Sequence, residues 1–192
     1  MNKINFAPFP ILKTERLTLR CLELSDDKQL FSLRSNKIVN KYIVRPQQKD
    51  IKEIRPFISK INNGINNNEW IYWVISLKEN PTLIGTICLW NFSEDKTVAE
   101  IGYELDPAFQ GKGIMSEALN NIIEFGFKNI KLIAIEAYTH KNNDDSTKLL
   151  QKYNFIRDAG RVDKENSDNI IFTLTKQNWM KQKLNTTNVK TK

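Results

Sequence analysis

Ile101-Gly102-Tyr103-Glu104-Leu105-Asp106-Pro107-Ala108-Phe109-Gln110-Gly111-Lys112-Gly113-Ile114-Met115-Ser116-Glu117-Ala118 is the stretch of this 192-residue chain on which the fold turns. Its first part closes a strand-like run over residues 98–105, which Asp106 and Pro107 stop. Its last part opens the most regular periodicity in the chain. Met115, Ala118, Leu119, Ile122, Ile123, Gly126 and Phe127 recur at i, i+3, i+4 and predict an amphipathic helix of about three turns. Between strand and helix lies Gln110-Gly111-Lys112-Gly113. Two glycines let the backbone turn tightly and let a bulky anion approach its N–H groups. The helix start carries unpaired N–H groups and a partial positive charge, so a phosphate is favoured there, and Lys112 adds a cation. The chemistry this predicts is pyrophosphate binding, although a short glycine turn before a helix is weak evidence on its own.

Toward the N-terminus, Leu17, Leu19 and Cys21 alternate with Thr18 and Arg20, which predicts a strand. Ser25 and Asp26 read as the cap of a helix carrying Leu30, Phe31 and Leu33. Ile51, Ile54, Ile58 and Ile61 predict a second helix, broken or kinked at Pro56. The asparagine-rich residues 62–68 read as a loop. Residues 70–77 and 83–90 are β-rich and flank Glu79, Asn80 and Pro81, a hairpin pattern. Toward the C-terminus, residues 132–138 form a nearly continuous apolar run, expected for a strand covered on both faces. Residues 146–153 predict a short helix with Leu149 and Leu150 inward, and 170–174 a last strand. The order β-α-α-β-β-β-α-β-α-β specifies a mixed sheet with helices packed on it. With no repeat or linker, residues 1–180 are expected to be a single domain and 181–192 a basic, flexible tail.

Hydrophobic residues make up 40% of the chain and charged residues 27%, which supports a folded core and excludes global disorder. Twenty-nine Lys and Arg against 22 Asp and Glu leave a net +7, with the basic residues scattered rather than clustered. That distribution suits a phosphate-bearing small ligand better than a nucleic-acid groove. No run approaches the roughly 18 apolar residues of a membrane span, and the opening residues lack the pattern of a secretion signal. Cys21 and Cys88 form no metal or redox motif and read as buried thiols of a reducing cytoplasm. A single histidine, His140, excludes a His-rich metal site.

Other phosphate loops fail on the residues. A nucleoside-triphosphate loop needs Gly, four residues and Gly-Lys-Ser/Thr, but Asp106 holds the first Gly position and Gly113 follows Lys112. A dinucleotide fingerprint needs a third glycine where Ser116 stands, although Glu136 lies about where the ribose-binding acid belongs. The segment from Ile101 to Ala118 instead resembles the acetyl-CoA signature of the GNAT acetyltransferases, in particular their RimJ/RimL branch. Asn143, Ser146, Leu149, Leu150, Lys152 and Phe155 fit a second motif of that family, Asn-x-x-Ser-x-x-Leu-Leu-x-Lys-x-Gly-Phe. Thr14-Glu15-Arg16-Leu17-x-Leu19-Arg20 is similar to the branch's first strand, and Ile84-Gly85 to its third. The likeness spans about residues 10–178. Asn154 replaces the family's glycine before Phe155, and Asn tolerates the left-handed conformation required there.

This resemblance implies an α/β (α+β) fold with a mixed, mostly antiparallel central sheet flanked by helices. It also implies direct transfer of an acetyl group from acetyl-CoA, as co-substrate, to a primary amine, with no metal. The backbone of Gln110, Gly111, Lys112, Gly113 and Ile114, with Met115, would cradle the CoA pyrophosphate. Its pantetheine arm would pair with the strand at Tyr103, Glu104 and Leu105. An N–H near Leu105 would stabilise the developing oxyanion. Asn143 would hydrogen-bond the cofactor or the acceptor, and Ser146 would protonate the departing thiolate; helix capping is the structural alternative for both. A base must deprotonate the ammonium, and Glu100, on the same strand face as Glu104, is the first candidate, with Glu104 and Glu136 behind it. Glu104 could simply face solvent. His140 reads as a loop residue or a pocket wall, and Trp70, Tyr72 and Trp73 as core or as the floor of the acceptor cleft. The RimJ/RimL likeness points first to a protein or peptide α-amine as acceptor. A small-molecule amine (amino acid, polyamine or aminoglycoside) and a non-catalytic CoA-binding protein are the alternatives. The expected partners are acetyl-CoA and the amine, without nucleic acid or membrane, in the cytoplasm; a homodimer is left open.

Overall fold

The periodic helix and the strand before it set the frame. In the computed structural model, which describes residues 4–189, Val98–Leu105 forms a strand and Ile114–Phe125 an α-helix, separated by a short 3-10 turn at Pro107–Phe109 and the glycine turn. In chain order the elements are β1 (Leu12–Lys13), β2 (Leu17–Arg20), α1 (Asp27–Ser35), α2 (Ile54–Asn66), β3 (Ile71–Leu77), β4 (Asn80–Trp90), β5 (Val98–Leu105) and α3 (Ile114–Phe125). There follow β6 (Ala134–His140), α4 (Asp144–Lys152), β7 (Ile156–Asp158), β8 (Asn169–Thr175) and α5 (Lys176–Val189). The strands make one sheet in the order β1-β2-β3-β4-β5-β6-β8-β7. Every neighbouring pair is antiparallel except β5 and β6.

That exception creates the site. The parallel pairing covers only Val98 to Glu100 against Ala134 to Glu136. Beyond it β5 runs on to Leu105 and β6 to His140, so the two strands part like a wedge. Helices cover both faces of the sheet. Phe57 of α2 meets Tyr72 edge-on at 6.5 Å, whereas Phe125 of α3 meets its neighbour Trp73 at 5.3 Å from the opposite side. Ala118, Leu119 and Ile122 of α3 are fully buried, and the two larger side chains contribute about 1.5–3 kcal/mol each. Gly126 lets α3 press onto the sheet: a Cβ there would come within 3.1 Å of Ile135 and 3.2 Å of Leu132.

Several expectations are corrected. Pro56 does not kink α2: it sits in the first turn, where a proline's missing N–H is not needed. The asparagine-rich segment is helical through Asn66, and only Asn67 and Asn68, the latter at φ 58°, make the turn. The β3–β4 turn is Lys78-Glu79, with Asn80 and Pro81 already in the strand. β6 is not covered on both faces; Ile135, Ala137 and Thr139 are buried while Glu136, Tyr138 and His140 are only partly covered. The short edge strands β1 and β7 and the last helix had no sequence prediction. Residues 181–189 of the expected tail continue α5; residues 190–192 lie outside the described residues. Among the described residues, no helix is long and apolar enough to cross a membrane.

Candidate functional site

The wedge opens into a cleft of about 1570 Å³, larger than the roughly 300–1,000 Å³ of an ordinary small-ligand pocket. One wall is the glycine turn. Gly111 and Gly113 hold φ of 69° and 75°, a conformation that L side chains resist. Gly113 is the N-cap of α3, and no side chain caps the first turn. The N–H groups at the helix start therefore stay available to an anion. Nothing lies within 4 Å of where a Cβ on Gly111 would be, so the turn has open space beside it. These features fit the diphosphate of acetyl-CoA.

The turn is braced from below. Glu117, in the first turn of α3, accepts hydrogen bonds from Thr14 Oγ1 (2.5 Å), the Arg16 backbone N–H (2.8 Å) and Arg16 Nε (2.7 Å). Arg16 Nη1 donates to the Lys112 carbonyl at 3.0 Å. The Lys112 ammonium does not line the cleft; it donates to the Ala108 carbonyl at 2.7 Å, so its expected part as a cation toward the phosphate is not adopted here. Gln110 donates its side-chain amide to the Leu105 carbonyl at 2.9 Å and ties the turn to the end of β5. Gln110, Gly111, Gly113, Ile114 and Met115 line the cleft, as do Tyr103, Glu104 and Leu105.

The two faces of β5 carry different chemistry. On the α3 side, the Tyr103 hydroxyl lies 2.9 Å from Ser146 Oγ of α4, linking strand and helix across the wedge. Burial pushes the Tyr103 hydroxyl up to about 12, opposed by its bond with Ser146. Asn143 caps α4 by accepting the Ser146 N–H at 3.2 Å, which is the capping role, and still lines the cleft. Asn154 adopts φ 58°, the left-handed turn its substitution for glycine requires.

On the other face stand three strand carboxylates with different partners. Glu104 does not face solvent. It is buried, with Arg45 Nη1 at 2.7 Å and Arg34 Nη1 at 3.8 Å. Glu136 is clamped by Arg161, whose Nη2 lies 3.0 Å from Oε2, and accepts from the Tyr138 hydroxyl at 3.1 Å. Among the described residues Glu100 has no such cation; its hydrogen bond is from Asn91 Nδ2 at 3.4 Å. Burial, with the charges of Asp163, Glu136 and Glu165, pushes its carboxyl from the usual range up to about 7 against the Asn91 bond. A carboxyl poised there takes up protons readily near neutral pH.

Sequence reading missed Arg34, Arg45 and Arg161, because nothing in a loop arginine announces the carboxylate it will meet. Of the two readings for Trp70, Tyr72 and Trp73, the core one holds and the cleft floor does not, since none of the three lines the cleft. Trp73 is fully buried with Nε1 donating to the Pro10 carbonyl at 2.8 Å, and Trp70 donates to the Ile61 carbonyl at 3.0 Å. His140 does line the cleft, stacked on Tyr42 with ring centres 5.2 Å apart.

A family model described as an acetyltransferase (GNAT) domain matches residues 16–156. The uncharacterized N-acetyltransferase p20 of Bacillus licheniformis is 34% identical over 173 residues, covering 88% of this chain and 97% of that protein. The spermidine N-acetyltransferase of Vibrio cholerae, solved with CoA and spermine, shares the fold at TM-score 0.74 and 21% identity, over 87% of this chain and 99% of that one. The RimL ribosomal alpha-N-protein acetyltransferase, solved with coenzyme A, shares it at TM-score 0.73 and 18% identity, over 88% and 99%.

Proposed function

Because the chain belongs to the GNAT acetyltransferases and is an acetyl-CoA-dependent N-acetyltransferase, we propose that it acetylates the N-terminal α-amine of a protein or peptide, with Glu100 as base and Ser146 as acid. Acetyl-CoA supplies the activated acetyl group. Main-chain N–H groups of residues 110–114, with Met115, hold its diphosphate, and the β5 edge at 103–105 pairs with its pantetheine arm. Glu100 takes a proton from the acceptor ammonium, directly or through water, and frees the lone pair that attacks. Ser146, hydrogen-bonded to Tyr103, sits on the opposite face of the strand and gives a proton to the departing thiolate. Asn143 positions the start of α4 beneath Ser146.

The observation that carries this reading is the unequal pairing of the carboxylates: Glu104 and Glu136 are held by arginines, and Glu100 is left with a carboxyl poised near neutrality. The size of the cleft and the RimJ/RimL likeness favour a peptide terminus. Asp163 and Glu165, whose charges reach Glu100, give a small polycationic amine a second reading. Thiol release from acetyl-CoA across peptides, polyamines and aminoglycosides tests the assignment. Turnover with peptides supports it. Turnover confined to polyamines or aminoglycosides transfers it to the second reading, and binding of coenzyme A with no turnover on any amine sinks both.

A further inference from the structure

Trp90 ends β4 directly opposite Glu100 in β5, so both side chains rise from the same face as neighbours. The next residue of β5 on that face is Gly102, and the indole leans into the room the glycine leaves. A Cβ on Gly102 would stand 3.6 Å from Trp90 Nε1 and 3.2 Å from Cys88 Sγ. Trp90 nevertheless remains 43% exposed, and it lines the cleft. Four more apolar side chains left in solvent line the same cleft: Ile38, Ile43, Val44 at 86% exposure and Val162 at 70%. Large apolar groups that line a cleft without cover mark surface that a ligand dehydrates.

The segment bearing Ile43 and Val44 is held in place at both ends. Arg45 is anchored on Glu104 at 2.7 Å and donates to Asn40 Oδ1 at 2.8 Å, and Tyr42 stacks on His140. The rim is therefore fixed before any acceptor arrives. The charges of Asp163, Glu136 and Glu165 reach Glu100, and Arg161 is paired with Glu136. The combination is a carboxylate with an exposed indole beside it, in a cleft that carries further uncovered apolar side chains.

We infer that the acceptor is a peptide whose first residue has a large apolar side chain, and that Trp90 selects it by packing on that side chain while Glu100 receives the α-ammonium. This rests on the peptide reading above and narrows it. A polyamine would bring a charge to each end and leave Val44 and Val162 uncovered. A peptide beginning with glycine or serine would leave Trp90 uncovered.

The test uses the full chain and short peptides identical except at the first residue, with spermidine as a further acceptor. Phe- or Leu-first peptides should exceed Gly- and Ser-first peptides in kcat/KM by about tenfold or more, the range a hydrophobic pocket achieves. Trp90→Ala should shrink that preference to about twofold through KM, and Trp90→Phe should retain most of it. Equal rates for all first residues, a preference for spermidine, or a uniform loss for every peptide in Trp90→Ala would overturn the inference. Peptide acetylation without apolar preference defeats this inference alone; no acetylation of any amine defeats the functional reading beneath it.

Discussion

Glu100→Gln should make the protein more stable and less active at once, and pH separates the two effects. In the folded chain the carboxyl is raised from 4.5 to about 7, chiefly by burial. A raised carboxyl binds its proton more tightly in the folded state than in the unfolded chain. Stability is therefore full below the unfolded value, falls as pH climbs through the window from 4.5 to about 7, and levels off above. Each tenfold change in proton affinity corresponds to about 1.36 kcal/mol, which would make the full penalty at alkaline pH about 3 kcal/mol. Solvent at the cleft mouth screens part of it, leaving about 1–3 kcal/mol. Glutamine keeps the shape and carries no charge. The variant should melt several degrees above the parent at pH 9, at roughly 2–4 °C per kcal/mol, and with the parent below pH 4.5. In the same variant kcat/KM should fall by about 10²–10⁴-fold, and the inflection near pH 7 in the parent's rate profile should vanish. Melting curves from pH 4 to 9, beside thiol-release rates from pH 6 to 9, read both. Equal melting temperatures at pH 9 would show that Glu100 is not held in its uncomfortable charged state. An unchanged rate profile would remove it as the base.

Ser146→Ala should lower kcat by about 10²-fold with little change in the KM for acetyl-CoA, since the proton for the thiolate is lost while the diphosphate grip stays; an unaltered kcat in steady-state assays places the acid elsewhere. Gly111→Ala has room for its methyl group but must hold φ near 69°, so it should lose about 1–2 kcal/mol in denaturant titrations and weaken coenzyme A binding in calorimetry. Glu104→Gln leaves the largely covered guanidinium groups of Arg34 and Arg45 facing each other without a counter-charge, and should destabilise the fold by about 3–5 kcal/mol; a loss under about 1 kcal/mol would show that solvent already screens the cluster.

Where local chemistry decides the outcome, the sequence is readable. The helix at Ile114–Phe125 and the strand at Val98–Leu105 follow from periodicity, and the intervening glycines follow from the left-handed turn they serve. Asn154 could be trusted in a glycine's place for the same reason. Tertiary pairing is harder to read. Even spacing puts Glu100 and Glu104 on one face, but which of them meets an arginine depends on how residues 43–48 dock, and no local pattern encodes that. Trp90 looks like the end of an apolar strand until the β4–β5 register sets it opposite Glu100 and beside Gly102. Residues 132–138 misled because Leu132, fully buried, and Ile133, exposed, precede the strand and stretch its apolar run. The edge strands at Leu12–Lys13 and Ile156–Asp158 are too short for any period to show.

Coenzyme A and pantetheine differ in the nucleotide and diphosphate that the amides at the start of α3 are built to hold. Calorimetric titration of each into the intact protein isolates that grip. Saturable heat with coenzyme A and none with pantetheine at the same concentrations is the predicted result. Equal affinity for the two, or no heat from either, would contradict it.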